Sequence, residues 1–308
     1  MDMSLVLSNA DAAERLRHWL ARYERVFVLT GAGCSTASGI PDYRSPDKAW
    51  KRRPPIDFRD YVSDPLMRAR YWARSFIGWP LISAALPNPA HAALADWQRS
   101  GGLSRLVTQN VDGLHHKAGS REVIDLHGRI DAVICLECAA RFGRAEIQKR
   151  LSDENPGWAG LSATTAPDGD ADLENLDFSG FHAPRCEDCG GMLKPDVVFF
   201  GENVPRTRYE AARAALEDSD ALLVVGSSLM VYSGFRFVRW AHDTGRPIAI
   251  LNRGQTRADD MDVLKLDADC TGVLPLALRR ADTVSEPRRS PPHPAPAPGY
   301  AHRRPGPA

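Results

Sequence analysis

No stretch of this 308-residue chain approaches the roughly 20 consecutive apolar residues that a membrane-crossing helix needs, so no membrane partner is expected. Neither sign of charge prevails: 39 Lys and Arg stand against 39 Asp and Glu, a formal net charge of zero. Without a basic excess there is no electrostatic footprint for nucleic acid, and none is expected as a partner. The N-terminus lacks the basic flank and apolar run of a secretory leader, and the Arg-rich amphipathic character of a transit segment. A cytoplasmic location is the expectation. Internal repeats are absent. Cysteine is scarce, with six residues, yet four of them form two C-x-x-C pairs. In a reducing compartment such pairs favour a metal over disulfides.

What is present is ordinary globular composition, 43% hydrophobic and 25% charged, enough for one large domain or two modest ones. Ala12, Leu16, Trp19, Leu20 and Tyr23 recur at helical spacing over residues 11–23, and Ser8 or Asn9 can cap the start. Short apolar runs at 26–30, 103–107, 123–126, 197–200, 221–225 and 247–251 read as strands. The run at 221–225 is apolar on both faces, as in a parallel sheet. Helical patterns at 91–99, 206–217 and 235–242 fall between them. Such alternation implies a parallel sheet with right-handed crossovers. Residues 48–89 mix basic, aromatic and proline residues and read as a helical insertion lying off the sheet. Residues 282–308 are rich in Pro, Arg and Ala and read as a disordered tail.

In an open α/β sheet, ligands bind at the carboxyl ends of the strands. Thr108, Gln109, Asn110 and Asp112 follow one strand, and His127 follows another. An imidazole there suits a general base, because its unperturbed pKa near 6.5 leaves it largely neutral. Alone, it would read by default as a satisfied histidine at a strand end. Gly31, Ala32, Gly33 and Ser35 follow the first strand, with the third glycine delayed to Gly39. They read either as a phosphate cradle or as a tight turn without ligand. Gly226, Ser227 and Ser228 form a second small-residue turn, and Asn252, Arg253 and Gly254 follow the last strand. Cys135, Cys138, Cys186 and Cys189 complete a tetrahedral thiolate set with no open position, hence a structural site. The alternatives are a redox pair or two unrelated thiol pairs. The acidic stretch at 166–170 reads as a solvated loop.

In this order, the motifs resemble the sirtuin family, the NAD-dependent protein-lysine deacylases. The resemblance rests on Gly31, Ala32, Gly33 and Ser35; Gly39 with Ile40, Pro41, Asp42, Tyr43 and Arg44; Thr108 to Asp112; and His127 with Gly128. It extends to both C-x-x-C pairs, Lys194 with Pro195, Phe200 with Gly201 and Glu202, Gly226 to Leu229, and Asn252. Tyr43 where many sirtuins have Phe, and the long segment between cysteine pairs, are similar to the class II branch, with a bacterial relative the better fit. The resemblance implies an α/β fold. A Rossmann-like NAD-binding domain would span 1–47, 90–132 and 196–281. A smaller domain, with the helical insertion and a zinc ribbon, would span 48–89 and 133–195. NAD is the implied co-substrate, one structural Zn2+ the implied metal, and acylated lysine in proteins the implied partner.

By that resemblance, the acyl oxygen attacks the ribose carbon as nicotinamide leaves, and His127 acts as base on a ribose hydroxyl. The products are free lysine, nicotinamide and O-acyl-ADP-ribose. Asn110 would order water or ribose, Asp112 would accept from the carboxamide, and Gln109 would contact a ribose hydroxyl. Gly31, Ala32, Gly33, Ser35, Gly226, Ser227 and Ser228 would hold phosphate or ribose. Asp42, Tyr43 and Arg44 would lie on the nicotinamide side. Asn252, Arg253 and Gly254 would hold the adenosine end, with Cys270 either near adenine or simply a small buried residue. Phe199, Gly201, Glu202 and Val231 would meet the peptide. Tyr71 and Arg74, one helical turn apart, would either bind an acyl carboxylate or serve as packing and a surface ion pair. Protein mono-ADP-ribosyl transfer by the same site is an alternative reading, and a non-catalytic NAD or ADP-ribose sensor is another.

Overall fold

β1 (Val26–Thr30) is buried along its whole length, and its side chains alternate between two cores. Val26 and Val28 enter one, Phe27 and Leu29 the other. A strand covered on both faces must be apolar at each core position, which is why the run is visible in the sequence. The computed structural model describes residues 7–42, 55–161, 173 and 176–279. Tyr43, Arg44, the 166–170 loop and the 282–308 tail lie outside the described residues.

Before β1 comes α1 (Asn9–Leu20), capped by the Ser8 hydroxyl, which accepts from the Asp11 N–H. α2 (Phe58–Ser63), α3 (Pro65–Ala84) and α4 (Pro89–Arg99) follow, then β2 (Leu103–Thr108), the single-turn α5 (Leu114–Lys117) and β3 (Ile124–Asp125). Next are β4 (Gly128–Cys135), β5 (Arg141–Gly143), α6 (Arg144–Glu154) and β6 (Leu193–Val197). α7 (Arg206–Glu217), β7 (Ala221–Val225), α8 (Tyr232–Asp243), β8 (Ile248–Leu251), β9 (Leu264–Leu266) and α9 (Cys270–Ala277) complete the described chain. Among the described residues, no helix is long and apolar enough to cross a membrane.

Six strands form one parallel sheet in the order β3-β2-β1-β7-β8-β9. The chain winds outward from β1 to β3, then returns to lay β7 on the other side of β1. The winding therefore reverses between β1 and β7, and a crevice opens at their carboxyl ends. α1, α4 and α9 cover one face, and α7 and α8 cover the other. A second, antiparallel sheet in the order β5-β4-β6 packs with α2, α3 and α6 around Tyr61, Trp72, Ile147 and Leu193. The expected fold class is thus present: a Rossmann-like parallel sheet with a smaller module beside it.

The expected strand at 197–200 is a correction. The strand lies earlier, as β6, and pairs antiparallel with β4 instead of joining the parallel sheet. Lys194 and Pro195 hide it in the sequence. Lys194 is nevertheless buried, because its ammonium donates to the Val197 carbonyl and the Glu202 carboxylate. Residues 198–200 remain extended, tied by Val198 N–H to His127 O (2.8 Å) and Phe58 N–H to Phe200 O (2.8 Å). β4, β5, α6, β9 and α9 have no counterpart in the expectation. α9 contains Gly272 and Pro275, which oppose a helix on propensity, but Val273, Leu274 and Ala277 bury it against α1 and α4.

Leu223 lies fully buried at the middle of β7. Leu223→Ala is expected to lower unfolding free energy by about 2–5 kcal/mol. Guanidinium denaturation checks this, and a loss near zero would contradict the burial.

Candidate functional site

The turns after β1 and β7 are laced together by backbone. Gly31 N–H donates to Val225 O (3.0 Å), and Gly33 N–H donates to Gly226 O (2.8 Å). A Cβ on Gly31 would lie 2.7 Å from Ser227 Cβ, and one on Gly226, where φ is +59°, would lie 2.3 Å from the Cys34 nitrogen. These two glycines are therefore required by the approach of turn to turn, before any ligand is considered.

The crevice is a cleft of about 760 Å³. Gly31, Ala32, Gly33, Ser35, Asp42, Gln109, Asn110, Asp112 and His127 line its inner side. Gly226, Ser227, Ser228, Asn252, Arg253 and Cys270 line it further along β7 and β8, and Phe199, Gly201, Glu202 and Val231 form the outer wall. Gly254 is not among the lining residues; its N–H donates to Asp267 (3.0 Å). Tyr71 and Arg74 share α3, as their spacing requires, but neither lines the cleft. Tyr71 is buried against Tyr61, Trp72 and Phe199, and the Phe199 ring, 5.0 Å away, lines the cleft.

His127 sits between β3 and β4. Its Nδ1 is 2.9 Å from Gln109 O, and its Nε2 is 2.6 Å from Ser233 Oγ. A carbonyl can only accept, so Nδ1 carries the proton and Nε2 keeps its lone pair. Burial holds its pKa down at about 4, aided by the positive fields of Arg236 and Arg208 and opposed by the Gln109 carbonyl. His127 is thus neutral over the ordinary working range, with its basic nitrogen towards the cleft.

The amides and carboxylate beside it are already bonded to one another. Asn110 Nδ2 donates to Gly31 O and Ser35 Oγ, both at 3.0 Å, and the Ser35 hydroxyl donates to Asp112 Oδ2 at 2.7 Å. Leu114 N–H fills Asp112 Oδ1 at 2.8 Å. Burial raises the Asp112 pKa, while the Leu114 N–H and the Ser35 hydroxyl work against that rise. Gln109 Nε2 donates to Ser227 Oγ (3.0 Å), joining the two turns again. Ser233 and Arg236 also line the cleft and were missed by sequence reasoning. The missed signal is the start of α8 at Tyr232, three residues before 235, which puts Ser233 in its first turn.

The four C-x-x-C thiols converge. Cys135 and Cys189 sulfurs are 3.5 Å apart, Cys138 and Cys186 sulfurs 3.7 Å, and all four lie within 4.8 Å. A tetrahedron with Zn–S near 2.3 Å needs edges of about 3.8 Å, so the set fits a structural zinc. Each pair is followed by a left-handed residue, Ala139 (φ 62°) and Gly190 (φ 73°), the turn of a zinc knuckle.

A second group, Cys34, His91 and His115, is wholly buried with donor atoms within 4.8 Å. Asn88 N–H donates to His91 Nδ1 (3.3 Å), so the His91 proton is on Nε2. His115 Nε2 lies 2.9 Å from the Thr30 hydroxyl, which itself donates to Thr108, so the His115 lone pair is on Nδ1. His91 Nε2 and His115 Nδ1 have no hydrogen-bond partner among the described residues, and they are a donor and an acceptor in rings 4.7 Å apart. The pair is complementary to itself. An ion would have to drive the His91 proton onto Nδ1 against the Asn88 N–H.

The chain matches the model of the Sir2 family over residues 31–233. It is 59% identical over 267 residues to an NAD-dependent protein deacetylase of Bordetella bronchiseptica, covering 87% of this chain and 97% of that protein. It is 47% identical over 271 residues to the Bos taurus protein named NAD-dependent protein lipoamidase sirtuin-4, mitochondrial, covering 87% and 86% of the two. Among solved structures, it is similar to a Sir2 variant with deacetylated p53 peptide and 3'-O-acetyl-ADP-ribose. The TM-score is 0.69 at 30% identity, covering 86% of this chain and 96% of that one.

Two outcomes are expected. Purified protein should carry one zinc per chain by elemental analysis, and Cys186→Ser should lose it and lower the melting temperature. Retention of zinc by that variant would contradict the four-sulfur site. The second outcome concerns pH. His91 and His127 are held at about 4 and His115 well below its ordinary value, each chiefly by burial. Their folded pKa values lie below the unfolded value near 6.5, so the unfolded chain binds more protons between the two. Stability should be level above about pH 7 and decline as pH falls from about 6.5 towards 4. Denaturation midpoints at fixed zinc load check this, and a flat profile across that window would contradict it.

Proposed function

We propose, from the premise that this chain belongs to the Sir2 family, that it is an NAD-dependent protein-lysine deacylase that transfers the acyl group to ADP-ribose and releases nicotinamide. The observation that carries the reading is His127: a neutral imidazole, fixed at Nδ1 by a backbone carbonyl, with Nε2 facing a cleft at the winding reversal of a parallel sheet. NAD, when bound, supplies an electrophilic ribose carbon. The protein's part is to bind, to orient and to take one proton.

The turn at Gly31, Ala32 and Gly33, with Ser227 and Ser228 opposite, is the phosphate-holding element of this reading. Asn252 and Arg253 serve the adenosine end, and Cys270 closes the cleft beside them. Asp112 accepts from an amide donor at the nicotinamide end, and Asn110 and Ser35 fix it there. His127 Nε2 removes the proton from a ribose hydroxyl as that oxygen attacks the acyl carbon. The apolar wall of Phe199, Val111 and Ile40 keeps out the water that would otherwise compete. The partner is a protein bearing an acylated lysine, whose backbone lies between Gly201 with Glu202 and Val231. The proposed large body, 1–47, 90–132 and 196–281, meets the small body, 48–89 and 133–195, along β4 and β6. A reducing compartment such as the cytoplasm belongs to the same proposal, because four thiols must stay reduced to hold an ion.

The test is turnover of an acyl-lysine peptide with NAD, followed by mass spectrometry for O-acyl-ADP-ribose against ADP-ribosylated protein. His127→Ala should lower kcat/KM by roughly 10²–10⁴-fold at unchanged melting temperature. Equal nicotinamide release by the two proteins would sink the reading. Tyr71 stands behind the Phe199 wall, on the same helix as Arg74. Matched acetyl-, glutaryl- and lipoyl-lysine peptides read their effect: faster turnover of the longer or acidic acyl groups supports it, and acetyl preference removes it.

A further inference from the structure

We propose that Ser233 is a positioning residue for His127: its hydroxyl holds the Nε2 lone pair before substrate binds, and yields that place to the hydroxyl that His127 deprotonates. Ser233 lies in the first turn of α8, so the helix fixes where its Oγ can go. The 2.6 Å contact is at the close end of the range over which a general base meets its proton donor. Because Nδ1 already donates to Gln109, the Nε2 lone pair can accept only one well-aligned hydroxyl. Ser233 therefore occupies the position a reacting hydroxyl must take, and the two exchange. The ring is meanwhile pinned at both nitrogens, and cannot turn without breaking both bonds. Gly234 follows, where a Cβ would lie 2.3 Å from Gln109 Oε1. The close approach of α8 to the Gln109 strand end thus fixes both of the ring's partners together.

A hydroxyl donating to a lone pair opposes protonation at that same atom. The charged groups bearing on His127 are Arg236 of α8 and Arg208 of α7, and Arg208 is tied to Asp196. Glu202, on the same cleft, is tied to Lys194. None of these is altered by removing one hydroxyl. Loss of Ser233 should therefore raise the pKa of His127 in the free enzyme and leave it unchanged once the reacting hydroxyl is bound.

The identity of the displaced hydroxyl rests on the deacylase reading; the occupancy of Nε2 does not. The experiment compares wild type, Ser233→Ala and Ser233→Thr. In Ser233→Ala, the acid limb of kcat/KM should move up by about one pH unit. At pH 5 the variant should then retain about half of its plateau value, while wild type stays near its own plateau. The acid limb of kcat, which reports the bound state, should not move, and Ser233→Thr should restore the wild-type profile. NMR titration of the His127 imidazole in ligand-free protein gives the same shift without turnover. An unmoved imidazole pKa, or equal movement of both kinetic limbs, overturns the proposal. A moved imidazole pKa in protein that makes no O-acyl-ADP-ribose overturns the deacylase reading and leaves the role of Ser233 standing.

Discussion

Two backbone hydrogen bonds, Gly31 N–H to Val225 O and Gly33 N–H to Gly226 O, bind the turns on either side of the winding reversal. The rest of the cleft is built outward from them. Asn110 reaches the Gly31 carbonyl, Gln109 reaches Ser227, and Ser35 reaches Asp112. Each polar side chain is held by groups that the lacing has already placed. Buried polar groups are costly unless paired, so a cleft this polar needs an internal network while no ligand supplies one. Its members can then trade partners when a ligand arrives, without first having to be ordered.

None of the four C-x-x-C cysteines lines the cleft, and their module is joined to it through the wall. β6 leads from the cysteine module to the segment that carries Phe199 and Gly201. Lys194 is buried, and burial lowers its pKa, but Glu202 supplies the countercharge and also accepts the Phe199 N–H at 2.9 Å. A Cβ on Gly201 would lie 2.4 Å from the Asp57 carboxylate, where α2 begins. The outer wall is thus gripped by the helical insertion on one side and the small sheet on the other.

Much of this was legible because burial writes itself into composition. β1 and β7 are covered on both faces and therefore apolar, except at Thr30 where β1 ends, and the thiol pairs announce themselves by spacing. His127 could be found because strand ends deliver function. What stayed hidden depends on distance in space. Lys194 and Pro195 disguised β6, because the ion pair that lets a lysine be buried comes from eight residues away. Ser233 looked like a loop residue, because nothing local shows that an imidazole from residue 127 stands 2.6 Å away. Gly31 and Gly226 were visible as small residues, and the sequence left a phosphate and a tight turn both open at Gly31; the opposing turn is by itself a sufficient reason for both glycines. Tyr71 and Arg74 were rightly placed on one helix, yet spacing alone does not say which way that helix turns.

His127 is followed directly by Gly128, where β4 begins, and preceded by the end of β3. Gly128 is left-handed (φ +83°), and a Cβ there would lie 1.8 Å from the Asp196 carbonyl, so the crossing from one sheet to the other admits no bulk. The imidazole is therefore mounted at the seam where the two sheets join, with paired backbone on both sides of it: β3 on β2 before it, and β4 on β6 after it.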